Sequence, residues 1–262
     1  MTDIELGTLA AEIAREAGEL AERRRREGVR LAATKSTLAD IVTEADREVE
    51  TLIRERLAAE RPDDGFLGEE SGAAGGASGY TWVVDPIDGT VNYSYGIPAY
   101  SVSIAVVEGA PDPEAWTGIA GAVCAPGLGE LFTAVRGEGA WHDGVRLAVT
   151  AETPAGALLA TGFGYDPSTH DGDLATVRRV MTMARDLRRM GSAAIDLSYV
   201  AAGRLDGFFE RGLNAWDFAA GAILVAEAGG AVTRIDLDAR RPLLYAGGSD
   251  VHARLGALLA DG

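Results

Sequence analysis

The segment Trp82-Val83-Val84-Asp85-Pro86-Ile87-Asp88-Gly89-Thr90 constrains this chain more than any other stretch. An apolar run of strand type leads directly into two aspartates three residues apart, so a strand end presents both of them. Pro86 fixes its own φ and biases Asp85 toward extended geometry, while Gly89 permits a sharp reversal. Both carboxylates can then converge on one point outside a sheet. The same residues also read as a plain tight turn, because Asp-Pro and Asp-Gly pairs are common in turns.

Further acids stand at comparable places. Gly68-Glu69-Glu70-Ser71 ends the preceding strand-type run, and Asn214-Ala215-Trp216-Asp217 opens an apolar helix far along the chain. Two carboxylates ~4 Å apart repel by ~4 kcal/mol at an effective dielectric of ~20, so gathering four destabilises a fold unless cations sit between them. Oxygen-only ligands select Mg²⁺ or Mn²⁺ over zinc. Shared carboxylates favour a pair of ions about 3.5–4 Å apart, the usual arrangement for phosphoryl hydrolysis. Each acid alone has a plainer role: Asp217 as a helix N-terminal acid complementing the dipole, Glu69 and Glu70 as a solvated turn.

Composition is acidic, and that excess of carboxylates could serve metal cations. Among 262 residues, Asp and Glu outnumber Lys and Arg by 40 to 24, a net charge of −16, which repels a phosphate backbone and argues against nucleic-acid binding. The single cysteine, Cys124, excludes an internal disulfide and any Cys-based cluster, as expected of a reducing compartment. The first residues are acidic where a secretory signal is basic, and no apolar run reaches membrane-spanning length, so a cytoplasmic protein with no membrane association is expected. The length suits one large or two fused units.

Leu6, Leu9, Ile13, Ala17 and Leu20 recur at helical spacing, predicting an opening amphipathic helix that Arg23 to Arg26 ends; flanking glutamates make those arginines a solvated helix end. Thr43 and Asp46 form a Thr-x-x-Asp capping box ahead of a second helix bearing Val49, Leu52, Ile53 and Leu57, which Pro62 to Gly65 stops. Short strands follow at Phe66-Leu67, Trp82 to Val84, Ser101 to Val107, Ile119 to Val123 and Leu131 to Val135, with Gly72 to Gly79 expected as a mobile loop. The second half predicts strands at Leu158 to Ala160, Leu205 to Phe209 and Leu243 to Tyr245. Helices are expected at Leu174 to Met183, Ala193 to Ala201, Ala219 to Ala228 and the carboxyl end. No linker composition appears, so residues 1–262 are expected to form a single unit of two interlocked halves, 1–150 and 151–262.

Taken together these residues resemble the inositol monophosphatase family of Mg²⁺-dependent, lithium-sensitive phosphatases. The resemblance rests on Gly68-Glu69-Glu70-Ser71, on Asp85-Pro86-Ile87-Asp88-Gly89-Thr90 with Asn92 and Tyr93, and on Trp216-Asp217 with Ala220-Gly221. It extends to Lys35 with Asp40 to Thr43 and Asp46, to Gly191-Ser192-Ala193-Ala194, and to Ala202 through Glu210, all in family order. The phrases Tyr95 to Tyr100 and Gly191 to Leu197 look most like the actinobacterial branch.

The resemblance implies an α/β fold, a five-layered αβαβα sandwich, and a homodimer. It implies that Glu69, Asp85 and the Ile87 carbonyl hold one magnesium and that Asp85, Asp88 and Asp217 hold a second. A third, weaker ion faces Glu69 in several members, Mn²⁺ substitutes for Mg²⁺, and Glu70 orients water. Thr90 and Asp46 are implied as the dyad that aims the attacking water and takes its proton, so Asp46 is readable both as a cap and as a base-side residue. The amides of Gly89, Thr90, Ser192 and Ala193 would hold the phosphate. Lys35 would approach on a lid or remain an exposed lysine. Glu210 matches the position that binds a substrate hydroxyl, which points to myo-inositol-1-phosphate or a similar small polyol phosphomonoester, hydrolysed without a phosphoenzyme. Side branches act on histidinol phosphate, fructose 1,6-bisphosphate or phosphoadenosine phosphate, and the loop Gly162 to Asp166, expected to border the substrate, departs from the animal pattern. Two other classes stay open: a regulatory binding protein of transcription or RNA processing, and a metal-stabilised structural protein.

Overall fold

Two sheets and the helices between and outside them order the chain, in a computed structural model that describes residues 1–29, 31–34, 41–236 and 241–259. Helix α1 (Asp3–Glu27) begins at a capping box in which Glu5 N–H donates to Thr2 Oγ1 and Thr2 N–H to the Glu5 carboxylate. Its apolar stripe, Leu6, Leu9, Ile13, Ala17 and Leu20, is buried as the spacing predicts. A two-stranded ribbon, β1 (Leu31–Thr34) with β2 (Ile41–Thr43), leads into α2 (Glu44–Glu60), whose N-cap is Thr43.

The larger sheet contains β3 (Gly65–Gly68), β4 (Gly72–Ala74), β5 (Tyr80–Asp88), β6 (Ser101–Glu108), β7 (Thr117–Ala125), β8 (Glu130–Val135), β9 (Gly139–His142) and β10 (Val145–Arg146). Their order is β10-β9-β8-β7-β6-β5-β3-β4, antiparallel except where β3 runs parallel to β5. A short helix, α3 (Thr90–Tyr95), follows β5. The smaller sheet orders β12 (Ala184–Arg188), β11 (Ala157–Thr161), β13 (Gly207–Arg211), β15 (Leu243–Gly247) and β14 (Ala231–Ile235). The remaining helices are α4 (His170–Val180), α5 (Ala193–Ala201), α6 (Ala215–Glu227) and α7 (Ser249–Leu259).

Helices α1 and α2 cover one face of the larger sheet, α5 and α6 fill the space between the two sheets, and α4 and α7 close the far face of the smaller one. The result is the expected αβαβα stack. Each interface has its own core: Ile13, Ile53, Trp82 and Ile104 in the first; Val83, Leu197, Phe208 and Leu224 in the second; Leu159, Phe209 and Leu255 in the third. Being covered on both faces explains why β5 reads as an unbroken apolar run and not as an alternation.

Several expectations need correction. Gly72 to Ala74, expected in a loop, pairs with β3 as an edge strand through backbone bonds that need no anchoring side chain. The helix expected at Leu174 to Met183 starts at His170 and stops at Val180, after a turn at Pro167–Thr169. The strand expected at Leu205 to Phe209 is Gly207–Arg211, and the helix expected at Ala219 to Ala228 is Ala215–Glu227, opened by an Asn214–Asp217 capping box.

Candidate active site

Asp85 and Asp88 would point to opposite faces of a regular strand, because i and i+3 differ in parity. The β5–β6 register is irregular between them: Asp85 pairs with Ser103 and Asp88 with Ser101, so β5 carries one extra residue. Pro86, lacking an N–H, occupies that bulge, which returns both carboxylates to one side. The chain then turns at Gly89, whose φ is +93° and where a Cβ would fall 2.9 Å from the Gly191 carbonyl oxygen. Only glycine fits this left-handed position.

The parallel pairing of β3 with β5 brings their carboxyl ends side by side, and Glu69 N–H extends the ladder to the Val84 carbonyl at 3.2 Å. Glu69 therefore stands beside Asp85. From the middle layer, Asp217 enters on the first turn of α6, its Oδ2 accepting Asn214 N–H at 2.7 Å. Helix α5 begins at Ser192, whose hydroxyl donates to Asp88 Oδ2 at 2.7 Å, as does Ala194 N–H at the same distance.

A cleft of about 550 Å³ collects these groups: Glu69, Asp85, Ile87, Asp88, Gly89, Thr90, Ser192, Ala193, Glu210 and Asp217 all line it, with the loop Gly162 to Asp166 along its rim. Glu70 does not line it; its N–H donates to the buried Glu50 Oε2 at 2.9 Å. Lys35 lies outside the described residues. Arg189, Arg211 and Arg241, which carried no signal in the sequence, also line the cleft, as does Asp196, which the sequence offered only as part of the Gly191 to Leu197 phrase and with no role.

Both contacts weighed for Asp46, to the cap and to Thr90, are present at once. Its Oδ2 accepts Thr43 N–H at 2.9 Å and the Thr43 hydroxyl, completing the cap, while its Oδ1 stands 3.2 Å from Thr90 Oγ1. That hydroxyl is also 3.0 Å from the Ile87 carbonyl. Burial lifts the Asp46 carboxyl to about 6, with Glu69 and Glu70 adding to the rise against the Thr43 hydrogen bonds.

Burial likewise lifts Asp88 to about 6, against the pull of Ser192 and Ala194. Asp85 and Asp217 are pushed well above the usual carboxylate range, first by burial and then by the other acids of the cleft. Glu210 rises to about 8 through burial, so in the ligand-free cleft it is mostly protonated at neutral pH.

Among the described residues, no group of three or more His, Cys, Asp or Glu side chains is set to hold a metal ion as it stands. The acids are instead engaged with protein donors: Asp88 with Ser192 and Ala194, Asp217 with Asn214, and Asp85 Oδ1 with Ile87 N–H at 3.1 Å. The donor set nevertheless fits a hard divalent cation in kind, since it is all oxygen and its charges oppose one another in a shared cleft.

The layered α/β fold thus brings acids from both halves of the chain to the wall of one cleft. The Inositol monophosphatase family matches residues 4–260. An inositol-1-monophosphatase of Rhizobium meliloti is 46% identical over 196 residues, 73% of this chain and 71% of that protein. The Nus factor SuhB of Haemophilus influenzae is 41% identical over 243 residues, 91% of this chain and 88% of that protein. The crystal structure of the extragenic suppressor protein suhB from Bartonella henselae superposes with a TM-score of 0.87 at 37% identity, covering 98% of this chain and 99% of that one. The chain belongs to the inositol monophosphatase family.

Proposed function

We propose that the protein is a Mg²⁺-dependent phosphomonoesterase acting on myo-inositol-1-phosphate or a similar small polyol phosphate. The observation that carries this reading is the meeting of Glu69, the Asp85/Asp88 turn and Asp217 in one cleft that is also lined by Thr90, the hydrogen-bond partner of Asp46. Glu69, Asp85, the Ile87 carbonyl, Asp88 and Asp217 would hold two divalent ions, with a third in reach of Glu69; Mn²⁺ would serve in place of Mg²⁺. When bound, those ions supply Lewis acidity toward the phosphoryl oxygens and lower the pKa of water.

The protein groups do the rest. Thr90 Oγ, hydrogen-bonded to Asp46, orients the attacking water, and the proton it loses passes through that hydroxyl toward Asp46, whose value of about 6 suits a general base. Glu70, near enough to raise Asp46, supports the ordering of water on that side. The amides of Gly89, Thr90, Ser192 and Ala193 receive phosphoryl oxygens at two helix starts. Glu210 meets a hydroxyl of the alcohol portion. Attack is an in-line displacement with no phosphoenzyme.

The test is phosphate release from inositol-1-phosphate, glycerol 2-phosphate and histidinol phosphate with Mg²⁺, using lithium as the inhibitor control. Turnover of the first two supports the reading; turnover of histidinol phosphate alone assigns that substrate, and fructose 1,6-bisphosphate is the further arm. No release from any of them removes the phosphatase function.

The name of the Haemophilus influenzae relative favours a second reading, in which the protein also contacts transcription or RNA-processing machinery. Capture of such a partner that survives Asp88→Asn would separate binding from catalysis. A homodimer is proposed alongside either activity, to be read by light scattering. A cytoplasmic setting is proposed too; among the described residues no helix is long and apolar enough to cross a membrane.

A further inference from the structure

Helix α5 is packed between the two sheets, and every residue from Ala193 to Ser198 is buried. Ser198 satisfies its hydroxyl on the Ala194 carbonyl at 2.7 Å. Asp196, 1% exposed, does not: its Oδ1 is the one carboxylate oxygen among the described residues that is buried without any hydrogen-bond partner. Other buried acids differ. Asp173 is held by Arg241 at 3.0 Å through both oxygens and by Gly164 N–H at 3.1 Å, and Glu50 takes Glu70 N–H. Native proteins satisfy such groups as a rule, and an exception points to a partner that comes from elsewhere.

The place of Asp196 says what that partner is. Its residue lines the cleft together with Glu210 of β13, Arg189 and the Gly162 to Asp166 loop. The charged groups that act on it are Glu210 and Asp88, which oppose its ionisation, and Arg189, which favours it. Arg189 already supplies positive charge there, so the chemistry needed is a neutral hydrogen-bond donor and not a second cation.

We propose that Asp196 is a specificity-determining residue. Its unpartnered carboxylate oxygen, in the cleft wall that Glu210 also lines, takes a hydroxyl of the substrate's alcohol portion, so the two acids together read a polyol. This rests on the phosphomonoesterase function proposed above.

The experiment compares Asp196→Ala and Asp196→Asn with the unaltered protein in Mg²⁺, measuring kcat/KM for inositol-1-phosphate, for n-propyl phosphate, which has no free hydroxyl, and for ethanolamine phosphate, which has an amine. Asp196→Ala should lower kcat/KM for inositol-1-phosphate roughly ten- to hundredfold and leave n-propyl phosphate within about twofold. Asp196→Asn, which keeps an acceptor oxygen, should recover part of the loss. Without metal or substrate, Asp196→Ala should melt no lower than the unaltered protein, because an unpartnered buried acid is being removed; a structural residue would lower it. An equal fall for all three esters, a loss confined to the amine ester, or a clear drop in melting temperature for both variants overturns the assignment. Failure of the unaltered protein to hydrolyse any of the three overturns the polyol-phosphate reading on which the assignment rests, and the assignment with it.

Discussion

Thr90 Oγ1 and Asp46 Oδ1 lie 3.2 Å apart, although 44 residues separate them in sequence. The contact joins the turn after β5 to the first turn of α2, and the same carboxylate caps that helix through Thr43. A single acid thus fixes a helix start and faces the hydroxyl proposed to aim water.

Thr90→Val keeps the shape of the side chain and removes the hydroxyl. With inositol-1-phosphate, kcat is expected to fall about 10²–10⁴-fold with KM little changed, as for loss of a proton-transfer group. Steady-state kinetics checks it; a change confined to KM would place Thr90 outside proton transfer.

Asp88→Asn removes a charge from a crowded cleft while leaving an oxygen to accept the Ser192 hydroxyl and Ala194 N–H. The metal-free variant is expected to melt a few degrees higher, about 2–4 °C per kcal/mol for a chain of this size. It should bind Mg²⁺ more weakly by calorimetry and show no turnover. Near-normal activity would sink the assignment of Asp88.

Stability without metal should depend on pH with a definite sign. Asp46 is raised to about 6 and Glu210 to about 8, against roughly 4 in the unfolded chain. Across that window the folded protein binds more protons than the unfolded one, so this contribution is complete below the unfolded value and is lost as pH climbs through about 6 and then about 8. Thermal melts in a chelating buffer should therefore show a lower melting temperature at the alkaline end than in mild acid. A rise over the same window would contradict the raised values.

Glu50, 3% exposed, sits one helical turn beyond Asp46 and receives Glu70 N–H at 2.9 Å. Gly68 makes room for it, since a Cβ there would fall 2.5 Å from Glu50 Oε2. Glu50→Ala strands that N–H and loosens the strand end carrying Glu69, so the Mg²⁺ concentration for half-activation should rise about tenfold. Glu50→Gln retains an acceptor and should stay within about twofold. Equal behaviour of the two variants would show that the hydrogen bond does not matter.

Local grammar made the Asp85–Asp88 segment, both opening helices and the capping box readable before any coordinates, because each is decided by residues near in sequence. The bulge at Pro86 was half visible: proline announces a missing donor, but its register against Ser101 and Ser103 is a property of two strands. Gly72 to Ala74 carries no apolar alternation, and Ala184 to Arg188 is a largely polar edge strand, so neither signals itself. Arg189 and Arg241 belong to no chemical motif, and Asp196 stands only inside the Gly191 to Leu197 phrase with nothing local to give it a role; all three reach the cleft through packing. Glu210 could be named through family resemblance, whereas its burial beside Arg189 required the folded chain.

Asp88 belongs to the larger sheet, yet it hangs on Ser192 and Ala194 of the helix against which the smaller sheet rests. A ligand that draws this carboxylate toward itself competes with both of these hydrogen bonds, and so with the seating of the first turn of α5. Chimeras that splice the first half of this chain to the second half of a distant relative would sever that tether. Such hybrids are expected to keep their sheets and lose their cleft.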